Sequence, residues 1–248
     1  MTSDELQSLC EQAQEQLMQM QYLAAEKLLA AAEAVALEQN DFDTLARLYM
    51  PLQEARRQRR QRCGEGIVRL DLISAGPADV IDPWHVVQNY PHGQLLVAGW
   101  GSIEPALGVR RLQAEHDLYV ETFLAAAYPV GDGRAIVIFP LEAIQPPPPQ
   151  PRSIDELLKL LPPHCIVMQE RELPKSALRG NSRTFANVMS MWERLHAPFL
   201  AAADATPTPL KKIEAYRKTI RVDYACELAH QKLSDLAKQI ARATAHPA

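Results

Sequence analysis

The chain has 248 residues, of which 47% are hydrophobic and 23% are charged, the balance of a globular protein with a core of its own. Its formal net charge of −4 provides no overall attraction to nucleic acid or to anionic lipid, so neither is expected as a partner. No apolar run approaches the roughly 20 residues that a membrane span needs. The acidic, polar start lacks the pattern of a secretory signal, and a cytoplasmic location is therefore expected.

The four cysteines, Cys10, Cys63, Cys165 and Cys226, lie far apart and form no Cys-x-x-Cys pair. This spacing favours reduced, mostly buried thiols over a disulfide framework or a zinc site. The sequence also contains no Gly-x-Ser-x-Gly motif and no cysteine in a glycine-rich or basic turn, so hydrolase chemistry has no support. No cofactor is predicted.

Residues 1–64 are predicted to form an N-terminal helical segment. Runs rich in Ala, Leu, Gln and Glu predict helices over 4–20 and 23–39, and a third helix begins near Phe42. The small residues Ala13, Ala25 and Ala32 fall at close-packing positions of the tetratricopeptide repeat, a family that residues 6–39 resemble. This resemblance implies a helical hairpin that packs on other elements, because a single repeat cannot bury its apolar face alone.

The hydrophobic period changes from about 3.6 to about 2 near Gly66, which predicts a central α/β domain over residues 65–175. Strands are predicted at 67–73, 94–98, 119–130, 134–141 and 165–168, with helices at 79–90, at 103–117 and from Ser153. The order β-α-β-α-β-β-α-β is typical of a mixed sheet with helices on at least one face. The predicted fold class is therefore α/β or α+β.

Residues 176–248 are predicted to be helical again. After a helix with Phe185, Trp192 and Leu195 on its apolar face, a single long helix is predicted from Leu210 to about Ala243. At about 1.5 Å per residue this helix would be roughly 50 Å long, which exceeds the width of a small domain. The N-terminal helices are therefore expected to pack against it and cover it.

The loop Gly99-Trp100-Gly101-Ser102 is the first candidate site, because it joins a predicted strand to a predicted helix. Ligands of α/β sheets bind beyond the carboxyl ends of parallel strands, where glycines let backbone N–H groups approach them. Glu104 stands where the dinucleotide fingerprint needs its third glycine, so the expected ligand is a small polar molecule and not a nucleotide. Three further side chains would line its pocket: Asp71, Ser74 and His85. The alternative is a tight turn in which Trp100 serves packing.

Two Glu-x-x-His spacings form the second candidate, Glu193 with His196 and Glu227 with His230. On a helix such residues share a face, and in ferritin-like di-iron bundles they share a metal. The alternative interpretation is structural. His196 would then be a hydrogen-bonded core histidine, whereas Asp223, Glu227 and His230 would lie on the solvent side of their helix.

Five arginines in seven residues close the third helix and form the third candidate: Arg56, Arg57, Arg59, Arg60 and Arg62. Guanidinium groups bind phosphate or carboxylate in fork geometry, so these arginines are expected to bind RNA, another anion or a partner. The alternative is that these arginines pair with the α/β domain or stay solvated. A second basic region comprises Lys211, Lys212, Arg217, Lys218 and Arg221, and neither region has an aromatic platform for stacking bases.

The leading hypothesis is a non-catalytic protein-protein interaction or scaffold protein, because the sequence contains no complete catalytic constellation. A small-molecule enzyme or sensor that uses the loop from Gly99 to Glu104 is the first alternative. A metal-binding helical protein that uses the two Glu-x-x-His pairs is the second.

Overall fold

The computed structural model of the chain describes residues 3–131, 133–150 and 152–245, and these form two compact units. The helical unit comprises the chain up to Arg60 together with the residues from His196 onwards. The α/β unit comprises Gln61–Leu195. None of the helices in the described ranges has the length and apolar character needed to cross a bilayer.

The described residues contain nine α-helices and five strands. In chain order they are α1 (Ser3–Met18), α2 (Tyr22–Gln39), α3 (Phe42–Glu65), β1 (Ile67–Ile73), α4 (Pro83–Asn89), β2 (His92–Trp100), α5 (Glu104–Glu115), β3 (Tyr119–Val130), β4 (Gly133–Phe139), α6 (Ile154–Leu160), β5 (Ile166–Gln169), α7 (Ser182–Ala205), α8 (Pro209–Val222) and α9 (Glu227–Ala245). A short 3₁₀ turn, Glu170–Glu172, follows β5. The predicted combination of a mixed sheet with flanking helices is therefore confirmed.

The core of the helical unit is built from both ends of the chain, as predicted. The alanines at 13, 25 and 32 are fully buried, and their small side chains let α1 and α2 approach closely. Asn40 ends α2 in a left-handed conformation, and its N–H bonds to the carbonyls of Ala36 and Leu37. Residues from α2, α3 and α9 meet in one cluster, which includes Leu29, Leu45, Tyr49, Ala229 and Leu233.

The single C-terminal helix predicted over 210–243 is wrong, because a turn separates α8 from α9. The Asp223 carboxylate accepts a bond of 3.1 Å from the N–H of Ala225, and the Asp223 carbonyl accepts one of 3.0 Å from Cys226. An Asp side chain that bonds to the backbone two residues further on competes with the helix. Since apolar residues continue at helical spacing through Val222, Ala225 and Ala229, the hydrophobic pattern did not indicate the break.

The sheet of the α/β unit has the order β1-β2-β3-β4-β5. The first three strands are parallel, whereas β4 and β5 run antiparallel to their neighbours. Strands β2 and β3 are buried along nearly their whole length, as expected for central strands covered on both faces. Helices α4, α5 and α6 cover one face, and on the other Phe123 stacks on Trp192 with 4.2 Å between ring centroids. Asp132, in the predicted β3–β4 hairpin, lies outside the described residues.

Candidate functional site

The segment predicted as the Gly99 loop lies at the carboxyl end of the parallel strand β2, whose last two residues are Gly99 and Trp100. Gly101 adopts a positive φ of 58°, and its N–H donates to the carbonyl of Ala127 at 2.9 Å. A Cβ at Gly101 would collide with Pro149, and one at Gly99 would collide with the carbonyl of Ser102. Close contacts within the protein therefore account for both glycines.

Two of the three side chains predicted to line the loop's pocket are hydrogen-bonded to other parts of the α/β unit. Asp71 accepts bonds from Arg69 at 3.0 Å and from the Ser176 hydroxyl at 2.7 Å. Ser74 is buried, and its hydroxyl lies 2.8 and 2.7 Å from two backbone carbonyls of the loop that follows β1. His85 is exposed on α4. In the described part of the chain, none of the three bonds to a residue of the Gly99 loop.

A cavity of about 880 Å³ lies at the same edge of the sheet, where β3 ends, β4 begins and β5 ends. It is lined by Val130, Gly131, Gly133, Arg134, Ser153, Ile154, Gln169, Glu170 and Arg171. The Arg134 guanidinium donates to both carboxylate oxygens of Glu170, at 2.6 and 2.7 Å, and to the carbonyl of Ser74 at 2.9 Å. The predicted site residues are not among those that line this cavity.

Three of the five predicted arginines lie largely inside the helical unit: Arg60 is buried, and Arg56 and Arg59 are partly buried. Arg56 and Arg59 donate to the two oxygens of Glu26 at 3.1 and 2.9 Å. Burial alone would raise the pKa of Glu26, but Arg59 and Arg56 outweigh it and lower that pKa below its usual value. The expectation that these arginines pair with the α/β domain or stay solvated is thus wrong for Arg56, Arg59 and Arg60, since α2 and the turn before α9 supply their carboxylates.

The two remaining arginines form short-range pairs near the protein surface. Arg57 donates to both oxygens of Glu54, three residues earlier, at 2.8 and 2.9 Å. Arg62 pairs with Glu65 at 3.3 Å. Each of these four side chains is between 43% and 48% exposed, so the pairs are screened by solvent and contribute little stability.

Asp223 is the centre of the buried charges. Its carboxylate accepts a 2.7 Å bond from Arg60 and lies 2.6 Å from Nδ1 of His196, while only 1% of its side chain is exposed. Burial alone would raise the pKa of Asp223, but Arg60 and His196 outweigh it and hold that pKa far below its usual range. Burial opposes a charge on His196 as well, yet the side chains of Asp223 and Cys226 raise its pKa to about 10.

His230 is buried as a neutral ring, whereas the raised pKa of His196 keeps that ring protonated at pH 7. Its Nδ1 lies 2.8 Å from the carbonyl of Cys226 and must donate, whereas its Nε2 lies 3.1 Å from Arg56 and must accept. Burial and the neighbouring Arg56 lower the pKa of His230 to about 4, so the ring is neutral at pH 7. We refer to Glu26, Arg56, Arg59, Arg60, His196, Asp223 and His230 as the ionic cluster.

The solvent-facing positions predicted for Asp223 and His230 are therefore wrong: both are fully buried. The turn before α9 changes the direction in which its side chains point relative to α8, so one helical wheel could not describe both helices. Glu227 is exposed and accepts a bond of 3.4 Å from Gln53, and Glu193 is exposed in the α/β unit. Across the described ranges, no group of three or more His, Cys, Asp or Glu side chains is arranged to hold a metal ion.

The second basic region lies on α8, beside a cleft of about 290 Å³ that we call the α8 groove. The groove is lined by Leu37, Asn40, Phe42, Leu210, Ile213, Glu214, Arg217 and Arg221. Its α8 residues recur every three or four positions and therefore share one face of the helix. Lys211, Lys212 and Arg221 make no ion pair with any described residue.

The chain matches no protein-family model, no curated protein and no solved structure in the comparisons made with them. The likeness of residues 6–39 to a tetratricopeptide repeat stays a prediction.

The sequence predicted only part of the surface that contains the α8 groove. The five cations of α8 were predicted as a basic region, but no groove beside them was predicted. The wall opposite α8 is formed by Leu37 at the end of α2, Asn40 and Phe42 at the start of α3. These residues lie more than 160 positions away from α8 in the chain. No local pattern shows that such distant segments meet.

Proposed function

We propose that this chain is a non-catalytic cytoplasmic interaction or scaffold protein that binds another protein through α8. The observation that carries the proposal is the concentration of cations on α8, all of which except Arg217 lack an ion-pair partner among the described residues. They lie beside the α8 groove, whose lining is half apolar. In a chain with a net charge of −4, such a concentration is a local feature that the overall composition does not require.

The ionic cluster supports this assignment because it engages most of the arginines at the end of α3, which leaves α8 as the basic segment available to a partner. The side chains of Arg56, Arg59 and Arg60 are between 4% and 15% exposed and form salt bridges with Glu26 and Asp223. In contrast, Lys211, Lys218 and Arg221 are exposed on α8. Exposed charges around an apolar patch are what interfaces use, since charge steers the encounter and apolar anchors supply affinity.

The helical unit also presents α8 on a firm support. Ile213, Tyr216 and Ile220 of α8 are buried in the core of the unit, and the Tyr216 hydroxyl donates to Asp204 at 2.6 Å. Arg217 bonds to Glu33 of α2 at 3.0 Å. A surface whose backbone is fixed in this way loses little conformational entropy when a partner binds.

Site-specific photo-cross-linking in the cells that produce the protein tests the proposal. A photoreactive residue at Lys211 or Lys218 is expected to form a covalent adduct with another protein, and the same residue at Lys238, exposed on α9, provides the matched control. The adduct should weaken when Arg221→Glu is added. Equal labelling from positions 211, 218 and 238 would refute the proposal.

A second candidate function is binding of a small polar molecule by the α/β unit. It is favoured by the cavity beyond the carboxyl ends of the strands, whose volume of about 880 Å³ falls within the roughly 300–1,000 Å³ typical of ligand pockets. Arg171 is an exposed cation in its wall. A metabolite at 100 times its dissociation constant should add about 2.7 kcal/mol of stability in a thermal-shift screen, and Arg171→Ala should abolish that shift. A screen without a shift sensitive to this variant would remove the candidate.

A further inference from the structure

We propose that the partner segment bound by α8 is an acidic peptide carrying one large apolar side chain, which enters the α8 groove while its carboxylates pair with the surrounding cations. The inference rests on the proposed function, because it names the chemistry of the partner for the same surface. Three features of the groove lead to it: its size, the four apolar side chains in its walls and the distribution of charge along its rim.

The size of the groove fits a side chain better than a whole ligand. Its volume of about 290 Å³ lies just below the roughly 300–1,000 Å³ of small-molecule pockets. Leu37, Phe42, Leu210 and Ile213 provide apolar walls. Leu210 is 60% exposed, so a side chain placed in the groove would remove its apolar surface from water.

The charges around the groove select an acidic partner. α8 carries five cations and a single acid, Glu214. Glu33 already occupies Arg217, but Arg221 in the groove wall and Lys211 nearby make no ion pair in the described ranges. Lys218 is exposed and lies over the ring of Phe199 at 5.4 Å, an arrangement that leaves its ammonium group able to accept a carboxylate partner.

The spread of these cations favours a peptide over a small anion. Lys211 and Arg221 are ten positions apart on the helix, about 15 Å at about 1.5 Å per residue. An extended peptide covers this distance with about five residues. Nucleic acid fits less well, because Phe42 is the single aromatic side chain in the groove wall and it is only partly exposed.

Fluorescence anisotropy with three labelled peptides of about twelve residues tests the inference on the full chain. The first peptide has a central leucine flanked by glutamates, the second replaces the leucine by serine, and the third replaces the glutamates by glutamines. We expect the first to bind, and each replacement to weaken binding at least about tenfold. Raising the salt concentration from about 50 to about 300 mM should weaken the first peptide several-fold.

Matched variants place the binding at the groove. Leu210→Ser and Arg221→Glu should each weaken the first peptide, whereas Leu228→Ser and Lys238→Glu, at exposed positions on α9, should leave it unchanged. Circular dichroism of each variant checks that the fold is retained. Equal effects of the α8 and α9 variants would overturn the inference.

Two further outcomes separate this inference from the proposed function. If the leucine and serine peptides bind equally, or if single-stranded RNA binds more tightly with the same dependence on Arg221, the acidic-peptide inference is overturned. If photo-cross-links at Lys218 persist in that case, the interaction role survives with a partner of another chemistry. If both the peptides and the cross-links fail, both proposals are wrong.

Discussion

The two units of the molecule bury different kinds of side chains. In the α/β unit the central strands β2 and β3 are mostly apolar inside, and the main exception is a buried pair in which Gln94 donates to Glu121 at 2.8 Å. In the helical unit the side chains of Arg60 and Asp223 are 4% and 1% exposed. A core of apolar strands tolerates the loss of one contact by partial collapse, whereas a core that contains charges depends on each partner of each charge.

The largest expected effect comes from breaking the ionic cluster. Asp223→Ala leaves Arg60 and His196 buried without their carboxylate, and we expect a loss of about 3–5 kcal/mol in the free energy of unfolding. Urea denaturation followed by circular dichroism measures it. Asp235→Ala, which removes an exposed partner of Lys238, is the control and should change stability by less than about 0.5 kcal/mol. A loss below about 1 kcal/mol for Asp223→Ala would mean that solvent reaches the cluster.

Truncating a buried side chain in the sheet should lower the free energy of unfolding somewhat less. Leu95 is fully buried on β2, and Leu95→Ala should lower the free energy of unfolding by about 2–4 kcal/mol. All three tryptophans, Trp84, Trp100 and Trp192, belong to the α/β unit, so their fluorescence reports unfolding of that unit. A transition that shifts in circular dichroism but not in fluorescence would contradict the assignment of Leu95 to this core.

The free energy of unfolding should fall on both sides of neutral pH, because of His196 on the alkaline side and His230 on the acidic side. Folding raises the pKa of His196 to about 10, so its contribution is complete below the usual value near 6.5 and is lost as the pH rises through about 10. Folding lowers the pKa of His230 to about 4, so stability falls as the pH drops from about 6.5 to about 4, where only the unfolded state takes up the proton.

Urea midpoints measured between about pH 4 and pH 10 should therefore peak near neutrality. His196→Gln should flatten the alkaline side and His230→Gln the acidic side of this profile. If neither variant changes the slope on its side, the two rings do not hold the protonation states that their contacts indicate.

The smallest expected effect is at a helix end of the α/β unit. The Ser153 hydroxyl accepts the N–H of Glu156 at 3.2 Å, and the Glu156 carboxylate accepts the N–H of Ser153 at 2.8 Å, which forms a capping box at the start of α6. Ser153→Ala should cost about 1 kcal/mol. Ser153→Asp keeps the acceptor and should restore most of it. Equal losses for both substitutions would show that the cap is not what stabilises α6.

Sequence patterns predicted the α/β unit better than the helical unit, for a physical reason. The positions of the strands along the chain and the start of α6 at Ser153 depend on local alternation and local capping, which neighbouring residues display. The turn at Asp223 was missed because its apolar spacing matches that of a continuous helix. The sequence predicts a site at the arginine-rich segment but not its partners, because Arg60 and Asp223 are 163 residues apart and their pairing depends on how the helices pack.

Asp223 also lies where the chain leaves the helical unit and where it returns to it. Its carboxylate bonds to Arg60, the last residue before the chain leaves the helical unit, and to His196, the first residue after it returns. The whole α/β unit is therefore an insertion whose entry and exit points are fastened together by one side chain. The bonds of Asp223 to Arg60 and His196 offset the entropy lost when the two ends of the insertion are brought together. Because that entropy changes only slowly with loop length, an insertion of another length in the same place should change the free energy of unfolding little.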